Sequence, residues 1–196
     1  MEFPDIVGHD VVIDLETTGL HFKKDEIFGV AFCFLDQPHQ TARYWDIRDY
    51  EQVIRWLKDQ LHKVKLFVNH NAAFDILFLM EYGCLPPPII KCTQVRASLI
   101  YEHHRSYTLA DCAMRAKVTA KADDEIYHDL ADIFGGKPTR KEQILNLPKA
   151  PVEMVEDYGK GDVISAAELF AYQESIIGFD DLHEICLLYT SPSPRD

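Results

Sequence analysis

The sequence predicts an α/β domain built on a mixed sheet of about five strands, the first three antiparallel, flanked by helices. Three observations predict it. Three apolar or aromatic runs follow one another within the first 47 residues, too closely for the long crossovers that parallel strands need. From Tyr50 the apolar spacing lengthens to three and four residues, the stripe of an amphipathic helix. The second half is then helical in character, apart from one short run near residue 90.

Residues 11–15 form a β-branched run with an acidic end, and residues 27–35 a longer apolar one; both read as strands. Residues 41–47 alternate and carry Tyr44 and Trp45, predicting a third strand after a turn at Asp36, Gln37 and Pro38. Val53, Ile54, Leu57 and Leu61 mark the first helix, and residues 65–68 the buried strand that leaves it. Asn69 and Asn71 offer caps for a helix through Phe74, Leu77 and Phe78 that ends near Gly83. Residues 89–94 supply the fifth strand, followed by helices near 94–101, 108–117 and 123–133. Gly135, Gly136 and Pro138 mark a loop, and Pro151 opens a last helix over about 152–177.

A length of 196 residues with 47% hydrophobic side chains suits one sizeable core. No apolar run reaches the roughly 18 residues of a membrane span, and the N-terminal residues lack a signal-peptide pattern, so no membrane partner and a cytoplasmic setting are expected. Cys33, Cys84, Cys92, Cys112 and Cys186 contain no CxxC pair and read as packed thiols. Twenty basic against 32 acidic residues give a net charge of −12, which excludes a simple electrostatic coat for DNA. Any nucleic acid bound here needs something else to offset the repulsion.

Asp14 and Glu16, two apart at the end of the first strand, project from one face of the sheet. Paired hard oxygen donors suit Mg²⁺ or Mn²⁺. Asp123, Asp124 and Glu125 repeat the spacing, but at a helix start, where acidic residues favour the helix dipole. Asp14 and Glu16 instead interrupt a run that belongs to the core, a costly place for acids unless something binds them.

The stretch from Val12 through Asp14 and Glu16 to Leu20 resembles the first motif of the DnaQ-like, or DEDD, 3′→5′ exonucleases. Asn71, Phe74 and Asp75 resemble the second, and Tyr158 with Asp162 the third, in the form with tyrosine four residues before the aspartate. Tyr107 and Asp111 share that spacing, but Ser106 or Thr108 can cap a helix there with Asp111 in its first turn, which gives that acid a structural reason. Gly159 and Gly161, beside Tyr158, hint at a close approach. The histidine branch of the family is a poorer match, because no His precedes an aspartate by five residues after Asp75.

The resemblance covers roughly residues 8–177 and implies a ribonuclease H-like fold. It implies that Asp14, Glu16, Asp75 and Asp162 hold two divalent ions, Mg²⁺ or Mn²⁺, and that Tyr158 orients the attacking water. Thr17, Leu20, Asn71 and Phe74 would then contact the terminal nucleotide, with helix capping and core packing as the plainer roles of Asn71 and Phe74. Within the tyrosine branch, the Glu-Thr-Thr-Gly-Leu ending of motif one looks closer to the proofreading domains of family A DNA polymerases than to ribonuclease D-like exoribonucleases. The implied partners are single-stranded DNA or a frayed primer 3′ end, and a polymerase domain following in a longer chain, in a bacterial or phage-infected cell. A catalytically silent nucleic-acid-binding module is the reading from another class; the presence of all four acids and the tyrosine weighs against it. Residues 1–185 read as the exonuclease domain, and residues 186–196, rich in Ser and Pro, as a tail translated from a sequencing adapter.

Overall fold

The computed structural model describes residues 3–46, 50–119 and 123–176. In chain order the elements are β1 (Asp10–Thr17), β2 (Ile27–Phe34), α1 (Pro38–Thr41), β3 (Arg43–Asp46), α2 (Tyr50–Gln60), β4 (Leu66–Asn69), α3 (Ala72–Glu81), β5 (Ile90–Cys92), α4 (Thr93–Ile100), α5 (Leu109–Ala116), α6 (Asp123–Phe134), α7 (Arg140–Gln143) and α8 (Val152–Glu174). The sheet order is β3-β2-β1-β4-β5. The first three strands pair antiparallel, while β4 joins β1 and β5 joins β4 in parallel. The fold class and the antiparallel start are those the sequence predicts.

Both faces of the sheet are covered, which is why β2 is apolar and buried along nearly its whole length. Val11, Ile13 and Leu15 of β1 enter a core with Phe32, Trp45 and residues of α2 and α3. Val12, one register step away, turns to the other face with Ala31, Cys33 and Val68, against Val163, Ala166 and Ala167 of α8. Helix α8 packs on β1, β2, β3 and β4. It is tied down by Cys33 Sγ donating to the Val163 carbonyl at 3.5 Å, and by Gln173 Nε2 donating to the Thr93 carbonyl at 2.9 Å. Buried Arg96 of α4 pairs with Glu174 at its far end.

The structure departs from the sequence-based expectation in three places. Strand β3 begins at Arg43, because residues 38–41 close a turn of helix: Pro38 supplies the fixed φ, and the Thr41 hydroxyl donates to the Gln37 carbonyl at 2.6 Å while accepting from Phe34 N at 2.9 Å. The segment before α8, to which the sequence assigns no element beyond the loop at Gly135 to Pro138, contains α7 and a 3₁₀ run over Ile144–Lys149. Asn71 does stand at the N-cap of α3, yet with φ 61° and ψ 44°, and its side chain makes no cap hydrogen bond. Asn69 is not at the cap: it ends β4, fully buried, its Oδ1 accepting from His70 N at 2.7 Å. The four cysteines among the described residues are buried and free. No helix among these residues is long and apolar enough to cross a membrane. The 186–196 tail and Cys186 lie outside the described residues.

Candidate metal centre

Along β1 the row facing α8 reads Val12, Asp14, Glu16: apolar where the helix covers it, acidic where the strand runs out toward its C-terminal end. The pairing with β2 shifts register between Glu16 and Thr17, an irregularity of the kind that re-aims side chains at functional sites. Asp162 approaches from α8. One carboxylate oxygen from each of Asp14, Glu16 and Asp162 lies within 4.8 Å of the others. Glu16 is 7% exposed and Asp162 5%, so this is a cluster of like charges held largely away from water.

Asp75 stands beside the trio, delivered by α3. The parallel ladder between β1 and β4 stops at Val12 and Val68. Farther along β1 on that edge, the Leu15 N–H donates to Asp75 Oδ1 at 3.1 Å instead of to a strand. Burial, and next the charge of Asp14, push the Asp75 carboxyl well above the usual carboxylate range, against the hydrogen bonds from Leu15 N and its own backbone. Four acids predicted from three separated motifs are thus neighbours, with Asp14, Glu16 and Asp162 closest together.

Tyr158 sits one turn before Asp162 on α8, half-buried against the apolar cluster to which Phe28, Val155 and the α6 residues Ile126 and Leu130 belong. Thr17 closes the strand, its hydroxyl donating to the Gly19 carbonyl at 2.7 Å. Leu20 lies at the turn beyond, 76% exposed. That turn is built from within: Asp25 Oδ2 accepts from His21 N at 2.7 Å, and a methyl group added at Gly19 would lie 2.5 Å from the Asp25 carboxylate. Asn71 is exposed, and Phe74 is half-buried with its ring 4.8 Å from that of Phe78, so Phe74 has a core role whatever else it does.

The competing Tyr107 and Asp111 pair behaves as its capping reading says. The Thr108 hydroxyl accepts from Asp111 N at 3.3 Å, while Asp111 Oδ2 accepts from Thr108 Oγ1 at 2.8 Å and from Ser106 Oγ. These hydroxyl bonds, Ser106 first, hold the Asp111 carboxyl below its ordinary range. Helix α6 starts at Asp123 as expected of that acidic run, whose side chains lie outside the described residues. His103 is exposed and pairs with Glu102 at 3.5 Å, in keeping with a surface role.

Sequence reasoning missed one residue beside the cluster. Tyr44 of β3 lies over Gly29 of β2, where an added methyl group would be 2.0 Å from the phenol oxygen, and against Gly159 of α8, where it would be 3.1 Å from the ring. Gly159 therefore marks a close approach, as its position in the third motif hinted, whereas a methyl at Gly161 would meet open space. The signal was available: a glycine inside an apolar strand often marks a crowded neighbour.

The donor set fits a hard divalent cation. It is all carboxylate oxygen, without the thiolate or imidazole that softer metals select. Its carboxylate oxygens are also close enough together that a cation would offset their mutual repulsion.

No family model matches the chain. It is 43% identical over 188 residues to the DNA polymerase DpoZ of Acinetobacter phage SH-Ab 15497, covering 94% of this chain and 30% of that protein. The DpoZ polymerases of Salmonella phage PMBT28 and Vibrio phage phiVC8 are 41% and 35% identical, with 31% and 30% of their lengths covered. The chain thus spans less than a third of the length of these relatives. Among solved structures, Brucella melitensis NrnC with bound Mg²⁺ superposes with a TM-score of 0.64 at 20% identity, covering 94% of this chain and 83% of that one. The same protein bound to pGG gives 0.61 over 94% and 82%. At such identity these likenesses show a shared fold. The chain is a homologue of the matched part of the phage DpoZ DNA polymerases and has the fold of the nuclease NrnC, which bears out the resemblance to a polymerase's 3′→5′ exonuclease domain read from its three motifs.

Proposed function

We propose that this domain is a metal-dependent 3′→5′ exonuclease that trims DNA 3′ ends to nucleoside 5′-monophosphates and proofreads for a polymerase. The observation that carries the reading is the trio of half-buried Asp14 with buried Glu16 and Asp162, with carboxylate oxygens inside 4.8 Å and Asp75 alongside. Asp14, Glu16 and Asp162 would hold the cation, with Asp75 completing the shell for a second. Bound Mg²⁺ or Mn²⁺ would supply charge neutralisation at the scissile phosphate and a bound water of lowered pKa.

The chain's own residues do the rest. Asp75, locked by the Leu15 N–H, keeps α3 registered on the acidic end of β1. Tyr158 would orient the attacking water by hydrogen bonding through its hydroxyl. Thr17, the last residue of β1, and exposed Leu20, on the turn beyond it, would face the terminal base, with Asn71 and Phe74 on the α3 side. The acidic surface explains why binding would be local: the attraction for phosphate comes from cations at one point and not from a basic groove.

The phage polymerase relatives favour a primer 3′ end as substrate and, in the remainder of their length, a polymerase domain as the partner of residues 1–185, within an infected cell. The structural match to NrnC bound to pGG favours a second reading, a ribonuclease D-like enzyme acting on short oligonucleotides. Matched 5′-labelled DNA and RNA single strands, incubated with Mg²⁺ or with EDTA, separate the two. The proposal expects a ladder shortening from the 3′ end, faster on DNA and on a mismatched primer than on a paired one, and abolished by EDTA. A clear preference for RNA would transfer the assignment to the second reading. Stable binding with no Mg²⁺-dependent cleavage of either strand would leave a silent binding module.

A further inference from the structure

Resting on the reading of the acidic trio as a metal centre, we propose that Tyr44 is a positioning residue for Glu16, holding that carboxylate toward Asp14 and Asp162 from a slot that two glycines leave open. The register fixes the neighbourhood. Glu16 of β1, Gly29 of β2 and Asp46 of β3 stand opposite one another across the three antiparallel strands, and so do Asp14, Ala31 and Tyr44 in the next row on the same face. Tyr44 leans from its own row into the Glu16 row, because Gly29 has no side chain to occupy it. A methyl group at Gly29 would lie 2.0 Å from Tyr44 Oη and 2.6 Å from Cζ. From above, Gly159 lets α8 close on the ring, where a methyl would lie 3.1 Å from Cδ2 and 3.2 Å from Ala31 Cβ.

The phenol is therefore gripped between sheet and helix, with its hydroxyl over the residue paired to Glu16. Its oxygen fills the space over Gly29 that a larger side chain there would take, and so occupies the room beside Glu16 on that row. Packed on the β3 side of Glu16, it leaves that carboxylate the direction of Asp14 and Asp162 in which to point. Residues that orient a metal ligand in this way commonly change metal affinity by about 10–100-fold when altered.

The test reads metal binding without substrate. The wild-type chain and its variants are titrated with MnCl₂, following the melting temperature and the binding heat. Tyr44→Phe keeps the ring and removes the hydroxyl; it should need roughly tenfold more Mn²⁺ for half of the thermal shift, with a metal-free melting temperature close to wild type. Gly29→Ala keeps the phenol but displaces it, and should weaken Mn²⁺ at least as much, while Gly161→Ala, placed in open space, should titrate like wild type. Wild-type Mn²⁺ affinity in Tyr44→Phe would overturn the role of Tyr44 alone. A wild-type chain with no Mn²⁺ response at all would overturn the metal-centre reading and this inference together.

Discussion

Two segments of this molecule, Tyr107 to Asp111 at the start of α5 and Tyr158 to Asp162 inside α8, have the same residue types at the same spacing, and the structure gives them opposite environments. Asp111 lies in the first turn of α5, its carboxylate accepting from the hydroxyls of Ser106 and Thr108. Those partners stabilise its negative charge, and the helix N-terminus adds to that. Asp162 lies inside α8, 5% exposed, with its carboxylate turned toward those of Asp14 and Glu16. A carboxylate satisfied by its own cap belongs to the fold. One held among other carboxylates costs stability, and a fold keeps it when a cation completes the site.

The largest expected difference between the two is in activity. Asp162→Asn should reduce Mg²⁺-dependent release of nucleotides by at least about a thousandfold, while Asp111→Asn stays near wild type, measured as kcat/KM on single-stranded DNA. Equal losses in the two variants would erase the distinction. The next difference is in ligand-linked stability. Mg²⁺ or Mn²⁺ at about a hundred times its Kd adds roughly 2.7 kcal/mol to the folded state. For a domain of this size that is a rise in Tm of about 5–10 °C. Asp111→Asn should retain the rise and Asp162→Asn should lose it, while the metal-free Tm of Asp162→Asn should be no lower than wild type because a like charge has gone.

The tyrosines sharpen the comparison at a smaller scale. Tyr158→Phe should lower kcat by about 10²-fold with KM little changed. Tyr107→Phe loses a hydrogen bond from its hydroxyl to the Tyr101 carbonyl, 2.8 Å long at an exposed site, and should leave kcat intact. A kcat loss confined to Tyr107→Phe would mean that the third motif is the other segment. The smallest effect concerns acid stability. The folded-state pKa of Asp111 is depressed by Ser106 and then Thr108, so its carboxylate contributes stability that is fully present above the unfolded value of about 3.9 and is lost as pH falls through the lower folded value. Urea melts of wild type and Asp111→Ala should therefore differ by under about 1 kcal/mol at pH 7 and converge below about pH 3.

Much of this was legible in the sequence because the signals are local. The β-branched run of β1, the three-and-four spacing of α2 and the caps around α5 depend on near neighbours, and the structure keeps them. Asp14 and Glu16 were legible because carboxylates at core positions have few structural explanations, while Asp75 and Asp162 came from the resemblance of their motifs. What was not legible depends on contacts across the sheet. The turn of helix at Pro38 is fixed by the Thr41 hydroxyl bridging Gln37 and Phe34, a pattern that composition alone does not separate from a bend. Tyr44 looked like one more aromatic of an alternating strand. Its place beside Glu16 follows from the registers of β1, β2 and β3 together with the close approach of α8 at Gly159. Asp75 was identified from its motif, but its hydrogen bond to the open edge of β1 follows from where β4 stops.

The central claim is that the acidic end of β1 is a cation-dependent hydrolytic centre. Its most direct test is the time course of 5′-mononucleotide release from single-stranded DNA by the wild-type chain and by Asp14→Ala, each with Mg²⁺ and with EDTA. The account predicts release by the wild-type chain in Mg²⁺ alone and none by Asp14→Ala under either condition. Full, EDTA-sensitive activity in folded Asp14→Ala protein would contradict it.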